Sequence, residues 1–238
     1  MAVLRSLLSV AAVAAVATSK PLDRRGTIGT DDIVGFSQTV PSGTTGDVYL
    51  AYQPYLYVAN GCVPFPAVDA AGDTNAGLAT TGASNGDCSS STGQIYVRSA
   101  EYNGSYALLY SWYFPKDEPS DGLGHRHDWE GAIVWLSSST STSVDNILAV
   151  CPSAHGGWEC TTDDYTVSGT KPLIKYESIW PVNHAMSTTS TVGGTQPLIA
   201  WESLPSVAQD ALQTTDFGSA IVPFKDSTFT ENLAKATF

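Results

Sequence analysis

The chain has 238 residues, 42% of them hydrophobic and 14% charged, with 21 Gly and 13 Pro, a composition of many short strands and turns that argues against intrinsic disorder. That length suits one large β-rich domain of ~200–250 residues or two small ones. With 11 Lys and Arg against 23 Asp and Glu, the formal net charge of −12 argues against nucleic acid as a partner and against bulk adsorption to an anionic membrane.

From the N-terminus, Arg5 precedes an uncharged run over residues 7–17 that ends in the small-x-small pattern Ala15, Val16, Ala17. The run is too short for a span of ~20 residues but suits a secretory signal peptide over residues 1–17. Arg24 and Arg25 then offer a dibasic cleavage site, which would make residues 18–25 a short pro-segment and start the mature domain, residues 26–238, at Gly26. No later apolar run approaches ~20 residues, so no transmembrane span is expected and the mature protein should be water-soluble.

Alternating or fully apolar runs at residues 48–58, 94–98, 106–114, 131–136, 147–150, 173–176 and 197–201 predict strands. The 106–114 run is largely apolar on both faces, with Tyr106, Leu108, Tyr110, Trp112 and Phe114 on one and Ala107, Leu109, Ser111 and Tyr113 on the other. That pattern predicts a central strand, which Pro115 should terminate by removing a ladder donor. Residues 67–93, rich in Gly, Ser, Thr, Asn and Asp, predict a long loop. Ser203 is expected to cap a helix beginning near Pro205 and ending before Gly218, and residues 230–235 a second, shorter helix. With no repeats or charged linker, a single mostly β domain follows.

An even count of four cysteines suits disulfides in a secreted chain. Of three connectivities, the sequential one, Cys62 with Cys88 and Cys151 with Cys160, is preferred. Asn103, Gly104, Ser105 forms the only glycosylation sequon. Two motif matches lack their structural context. Gly82 to Gly86 fits the G-x-S-x-G pattern of a nucleophile elbow without the strand and helix it needs, and Asp216, Phe217, Gly218 lacks the other parts of a kinase site.

Residues 116–130 hold five carboxylates and two of the four histidines, the densest polar cluster in the chain. A solvated acidic loop is the ordinary reading of such a run. Its position between two apolar strands, however, confines the acids so that they repel one another, which invites a cation. Oxygen from Asp117, Asp128 and Glu130 with nitrogen from His125 or His127 favours magnesium, calcium or manganese over zinc. In a regular strand, His125 and Asp128 would face opposite sides, so a twist, a bulge or a bridging water must intervene. A pair of carboxylates could also serve a glycoside hydrolase, but nothing in the sequence sets their separation.

The stretch A-L-L-Y-S-W-Y-F-P-K-D from Ala107 to Asp117, followed by G-H-R-H-D-W-E from Gly124 to Glu130, resembles the paired signature of the necrosis- and ethylene-inducing peptide 1-like proteins, the NPP1 family. Similarity continues through W-P-V-N-H-A at 180–185, Q-P-L-I-A-W-E-S-L-P at 196–205 and T-D-F-G-S-A-I-V-P-F at 215–224. Four cysteines resemble the family's second subgroup, found in fungi and bacteria.

The resemblance implies a β-sandwich with a few peripheral helices, similar to actinoporins and fungal lectins. It implies a secreted, non-enzymatic protein, expected to be a monomer, that damages plant plasma membranes. Asp117, His125, Asp128 and Glu130 would surround the divalent cation. His127 and Trp129 would support the motif, while Trp180 and His184 would face the head group or membrane. The target implied is the sugar head group of glycosyl inositol phosphorylceramides. The 107–130 stretch also resembles a fragment sensed by plant immune receptors, so a non-toxic member that is still recognised is the alternative. A cation bridging an acidic protein to a head group gives part of the negative charge a use.

Overall fold

Period-two runs and turn chemistry build most of the elements. The computed structural model describes residues 26–178 and 184–238, so the expected signal peptide, the pro-segment and Trp180 lie outside the described residues. In chain order the elements are β1 (Thr27–Ile28), α1 (Thr44–Ala51), β2 (Tyr55–Val58), β3 (Thr74–Asn75), β4 (Ile95–Tyr102), β5 (Ser105–Asp117), β6 (His125–Leu136), β7 (Ile147–Ala154) and β8 (Gly157–Trp158). They continue with β9 (Val167–Ser168), β10 (Lys171–Ser178), β11 (His184–Thr188), β12 (Leu198–Ala200), α2 (Ser206–Thr214) and α3 (Phe229–Lys235).

One large sheet has the order β12-β4-β5-β6-β7-β8, a second β11-β10-β2 with β9 also on β10, and β1 and β3 form a small two-stranded sheet apart from both. The two larger sheets pack face to face through β11 against β6 and β7, and Tyr176 of β10 stacks on Phe114 of β5 with ring centroids 3.9 Å apart. The result is the expected open β-sandwich with helices at its edges.

As the two-faced apolar pattern predicts, β5 is central, and residues 107–117 are all buried. Each large apolar side chain enclosed there contributes ~1.5–3 kcal/mol through removal from water. Asn103 and Gly104, at φ 50° and 84°, turn β4 into β5 through a type I′ hairpin and leave the sequon exposed. Both disulfides pair as preferred, Cys62 with Cys88 and Cys151 with Cys160. The 67–93 stretch is irregular apart from β3. Among the described residues, no helix is long and apolar enough to cross a membrane.

Three expectations are corrected, and one strand was unforeseen. Residues 48–58 are a helix followed by a short strand, because Val48, Tyr49 and Tyr52, all buried, fall on one face at helical spacing. Ser203 lies in a 3-10 turn and caps nothing; α2 starts after Pro205 and ends at Thr214, where Thr215 turns extended. Pro115 does not end β5. Carbonyls of Tyr113 and Pro115 accept from Phe65 and Leu78, so the backbone of Pro115 faces away from β6, where its missing donor costs no ladder bond. Strand β11 was not expected, since only Ala185 and Met186 give it apolar character.

Candidate metal centre

The β5–β6 hairpin brings the acidic cluster to one end of the sandwich. Asp117 pairs with His125 across the strands, and Phe114 with Asp128. Between these pairs sits His127, at φ 61°, opposite Pro115. This left-handed residue breaks the strict alternation of β6 and is the kink that the sequence required. His125 and Asp128 thereby reach one side, and ligand atoms of Asp117, His125 and Asp128 all lie within 4.8 Å of one another.

The donor set fits a hard divalent cation. Two bonds of about 2.4 Å, ordinary for calcium, span that distance. His125 donates from Nδ1 to the His127 carbonyl at 2.7 Å, which fixes the tautomer and leaves the Nε2 lone pair available. His125 Nε2 stands 3.7 Å from Asp117 Oδ2, too far for a hydrogen bond. Solvent reaches the group at His125, whose side chain is 27% exposed, whereas that of Asp117 is fully buried.

Burial, with the Asp117 charge adding to it, pushes the Asp128 carboxyl from 3.8 up to about 7. Tyr176 opposes that rise by donating its hydroxyl to Asp128 Oδ2 at 2.9 Å. The Tyr176 hydroxyl itself is held protonated by burial and by the acids around it. Two carboxylates confined in this way favour a cation or a proton between them.

Glu130 does not join the group. Its carboxylate meets the Ser153 hydroxyl, and burial together with Asp128 pushes its pKa well up. It lines a separate cavity of about 240 Å³ with Trp129, Ser153, Trp158 and Asn232. His184, expected at a contact surface, is only 1% exposed. The reason is its role in holding Asp117: Nδ1 donates to Oδ1 at 2.5 Å, and the backbone N–H reaches both oxygens at 3.2 and 3.1 Å. The far side of its ring abuts Gly61, at φ 80°, where a methyl group would come within 2.4 Å of Nε2.

His127 and Trp129 pack as supports. His127 shares a hydrogen bond of 2.6 Å with Tyr113, and burial lowers its pKa to about 4, keeping it neutral. Trp129 lies among Tyr96, Tyr113, Phe217 and Phe224. Phe217, the centre of the kinase-like tripeptide, is thus core, and Ala83 of the elbow-like pentapeptide gives its carbonyl to buried Lys116. Sequence reasoning missed Tyr176, Ser153 and Tyr113. Their only signal was a hydroxyl on an otherwise apolar strand.

The family model described as Necrosis inducing protein (NPP1) matches residues 46–236. NLP effector protein 10 of Phytophthora capsici is 46% identical to the chain, over 95% of it and 97% of the relative. The solved structure of NLPPya in complex with mannosamine superposes with a TM-score of 0.84 at 42% identity, covering 90% of this chain and all of the other. That of the non-toxic HaNLP3 protein gives 0.83 at 39% identity, covering 87% and 98%.

Proposed function

The chain belongs to the necrosis-inducing protein (NPP1) family, and on that premise we propose that it is a secreted cytolytic effector acting at the plant plasma membrane without enzymatic turnover. In this reading it binds the sugar head group of glycosyl inositol phosphorylceramides through a divalent cation, magnesium or calcium before manganese, held by Asp117, His125 and Asp128. The observation that carries the proposal is the convergence of three ligand atoms within 4.8 Å, one of them an imidazole nitrogen with its lone pair free. A relative bound to mannosamine supports a sugar as the ligand class.

The chain's own groups have separable parts in this scheme. Asp117 and Asp128 supply negative oxygen, His184 orients Asp117, and Tyr176 orients Asp128. Glu130, hydrogen-bonded to Ser153, stands outside the ligand set, and Trp180 remains the proposed membrane contact. A cation seated there gives an acidic protein one local point of attraction for a hydroxyl-rich or phosphorylated head group.

Vesicles containing plant glycosyl inositol phosphorylceramide should leak with protein and divalent ion, and far less with chelator or with Asp128→Ala. Equal leakage from plain phosphatidylcholine vesicles would sink lipid-specific recognition. Likeness to the non-toxic HaNLP3 structure favours a second reading, a non-cytotoxic protein that plant immune receptors still detect. Because residues 107–117 are buried, recognition of that stretch requires the chain to be opened or cut. Infiltrated leaves would then show defence responses without leakage.

A further inference from the structure

From the geometry at Gly26 we infer that cleavage after the dibasic pair Arg24, Arg25 creates an N-terminal ammonium that pairs with Asp73 and locks a strand beneath the metal-centre hairpin. The Gly26 nitrogen lies 2.5 Å from Asp73 Oδ1. In the uncut chain this is a neutral peptide donor. Hydrolysis of the Arg25–Gly26 bond by a secretory endoprotease specific for paired basic residues consumes one water and leaves a carboxylate on Arg25. Gly26 becomes a primary amine, an ammonium below about pH 8, so the same contact turns into an ion pair.

The acceptor is already built. The Asp73 backbone N–H donates to Asp69 Oδ1 at 3.0 Å, and the Asp69 N–H to the Asp73 carbonyl at 3.1 Å, which together fix the turn that presents the Asp73 carboxylate. Beside it, β1 pairs in parallel with β3, matching Thr27 with Thr74 and Ile28 with Asn75. The Gly26 carbonyl accepts from Thr74 at 3.0 Å and that of Ile28 from Ala76 at 2.8 Å. Thr30 adds a side-chain bond to Asn75 at 2.9 Å. The residues nearest the scissile bond are therefore held along one edge, by Asp73, Thr74, Asn75 and Ala76.

What β3 leads into gives the pairing a purpose. The Ala76 and Gly77 carbonyls accept from Arg126 Nη1 at 3.0 and 3.1 Å. Gly77 approaches the His127 ring so closely that a methyl group there would stand 2.7 Å from it. Leu78 then bonds the Pro115 carbonyl at 2.8 Å. A continuous path runs from Gly26 through Asp73 and β3 to the kink that aligns His125 with Asp128, so the new terminus clamps the platform on which that kink rests.

The test uses the full chain expressed through a secretory pathway that contains such a protease, with intact mass read on the product. The expected mature chain begins at Gly26, and Arg25→Ala yields a longer one. Asp73→Asn is then melted in both backgrounds. It should lower Tm by about 2–4 °C more in the chain that begins at Gly26 than in the Arg25→Ala chain, the shift that one ion pair gives in a domain of this size. A secreted wild-type chain beginning elsewhere, or an equal Tm loss in the two backgrounds, would overturn the inference. Neither reading depends on membrane leakage.

Discussion

Replacing Asp128 by Asn should make the metal-free protein more stable at pH 8 while abolishing its response to cation. Asp128 is 5% exposed, and its carboxyl is raised from 3.8 to about 7. Because the folded pKa exceeds the unfolded one, the folded chain holds a proton that the unfolded chain has lost, so stability falls as pH rises from about 4 to about 7. At 1.36 kcal/mol per pH unit the full cost above pH 7 is roughly 4 kcal/mol. Burial supplies the larger part of that cost, and repulsion from Asp117, whose ligand oxygen lies within 4.8 Å, adds to it. Asn keeps the shape and the bond from Tyr176 but carries no charge. Scanning calorimetry in chelator at pH 8 should place the variant about 8–16 °C above wild type. At pH 4 the two should coincide. Cation at ~100-fold excess over its Kd should raise the wild type by about 2.7 kcal/mol and leave the variant unmoved. A variant no more stable than wild type in chelator at pH 8 would refute the electrostatic account of the centre.

Tyr176→Phe keeps the stack on Phe114 but removes the 2.9 Å bond that orients Asp128, so titration calorimetry should show cation affinity lower by about 10–100-fold. Unchanged affinity would mean that Asp128 is positioned by packing alone. The two disulfides close separations of 26 and 9 residues, for which loop entropy predicts losses of about 3.5 kcal/mol for Cys62→Ala with Cys88→Ala and about 2.7 kcal/mol for Cys151→Ala with Cys160→Ala. Urea midpoints of the two double variants should fall in that order.

The sandwich and three members of its polar centre were legible because local pattern and tertiary role coincide there. The 106–114 run is largely apolar on both faces and lies at the middle of a sheet; the acids that follow it crowd at its end because the next strand folds straight back. Residues 48–58 misled because aromatic and β-branched side chains score as strand wherever they fall, while the i, i+1, i+4 spacing of Val48, Tyr49 and Tyr52 carried the helix. Pro115 misled because its cost depends on which edge its nitrogen faces, a fact of register. Tyr176 and His184 grip the two acids from the opposite sheet, so their roles arise only when distant segments meet. Glu130 was grouped with Asp128 as an oxygen donor of the same acidic cluster and by the family resemblance, and its bond to Ser153 on β7 draws it elsewhere.

The left-handed residue at His127 amounts to a phase slip in a two-beat rhythm. A strand can present only every second side chain to one ligand, so neighbours an odd number of positions apart work together only when a beat is dropped between them. The segment from His125 to Asp128 therefore has a length requirement stricter than its composition: adding or deleting one residue while the left-handed kink at His127 stays sends the imidazole and the carboxylate to opposite faces. The turn at residues 118–124, outside the slip, carries no such requirement. Drift in loop length should be tolerated before Gly124 and lethal to the centre within the next four residues.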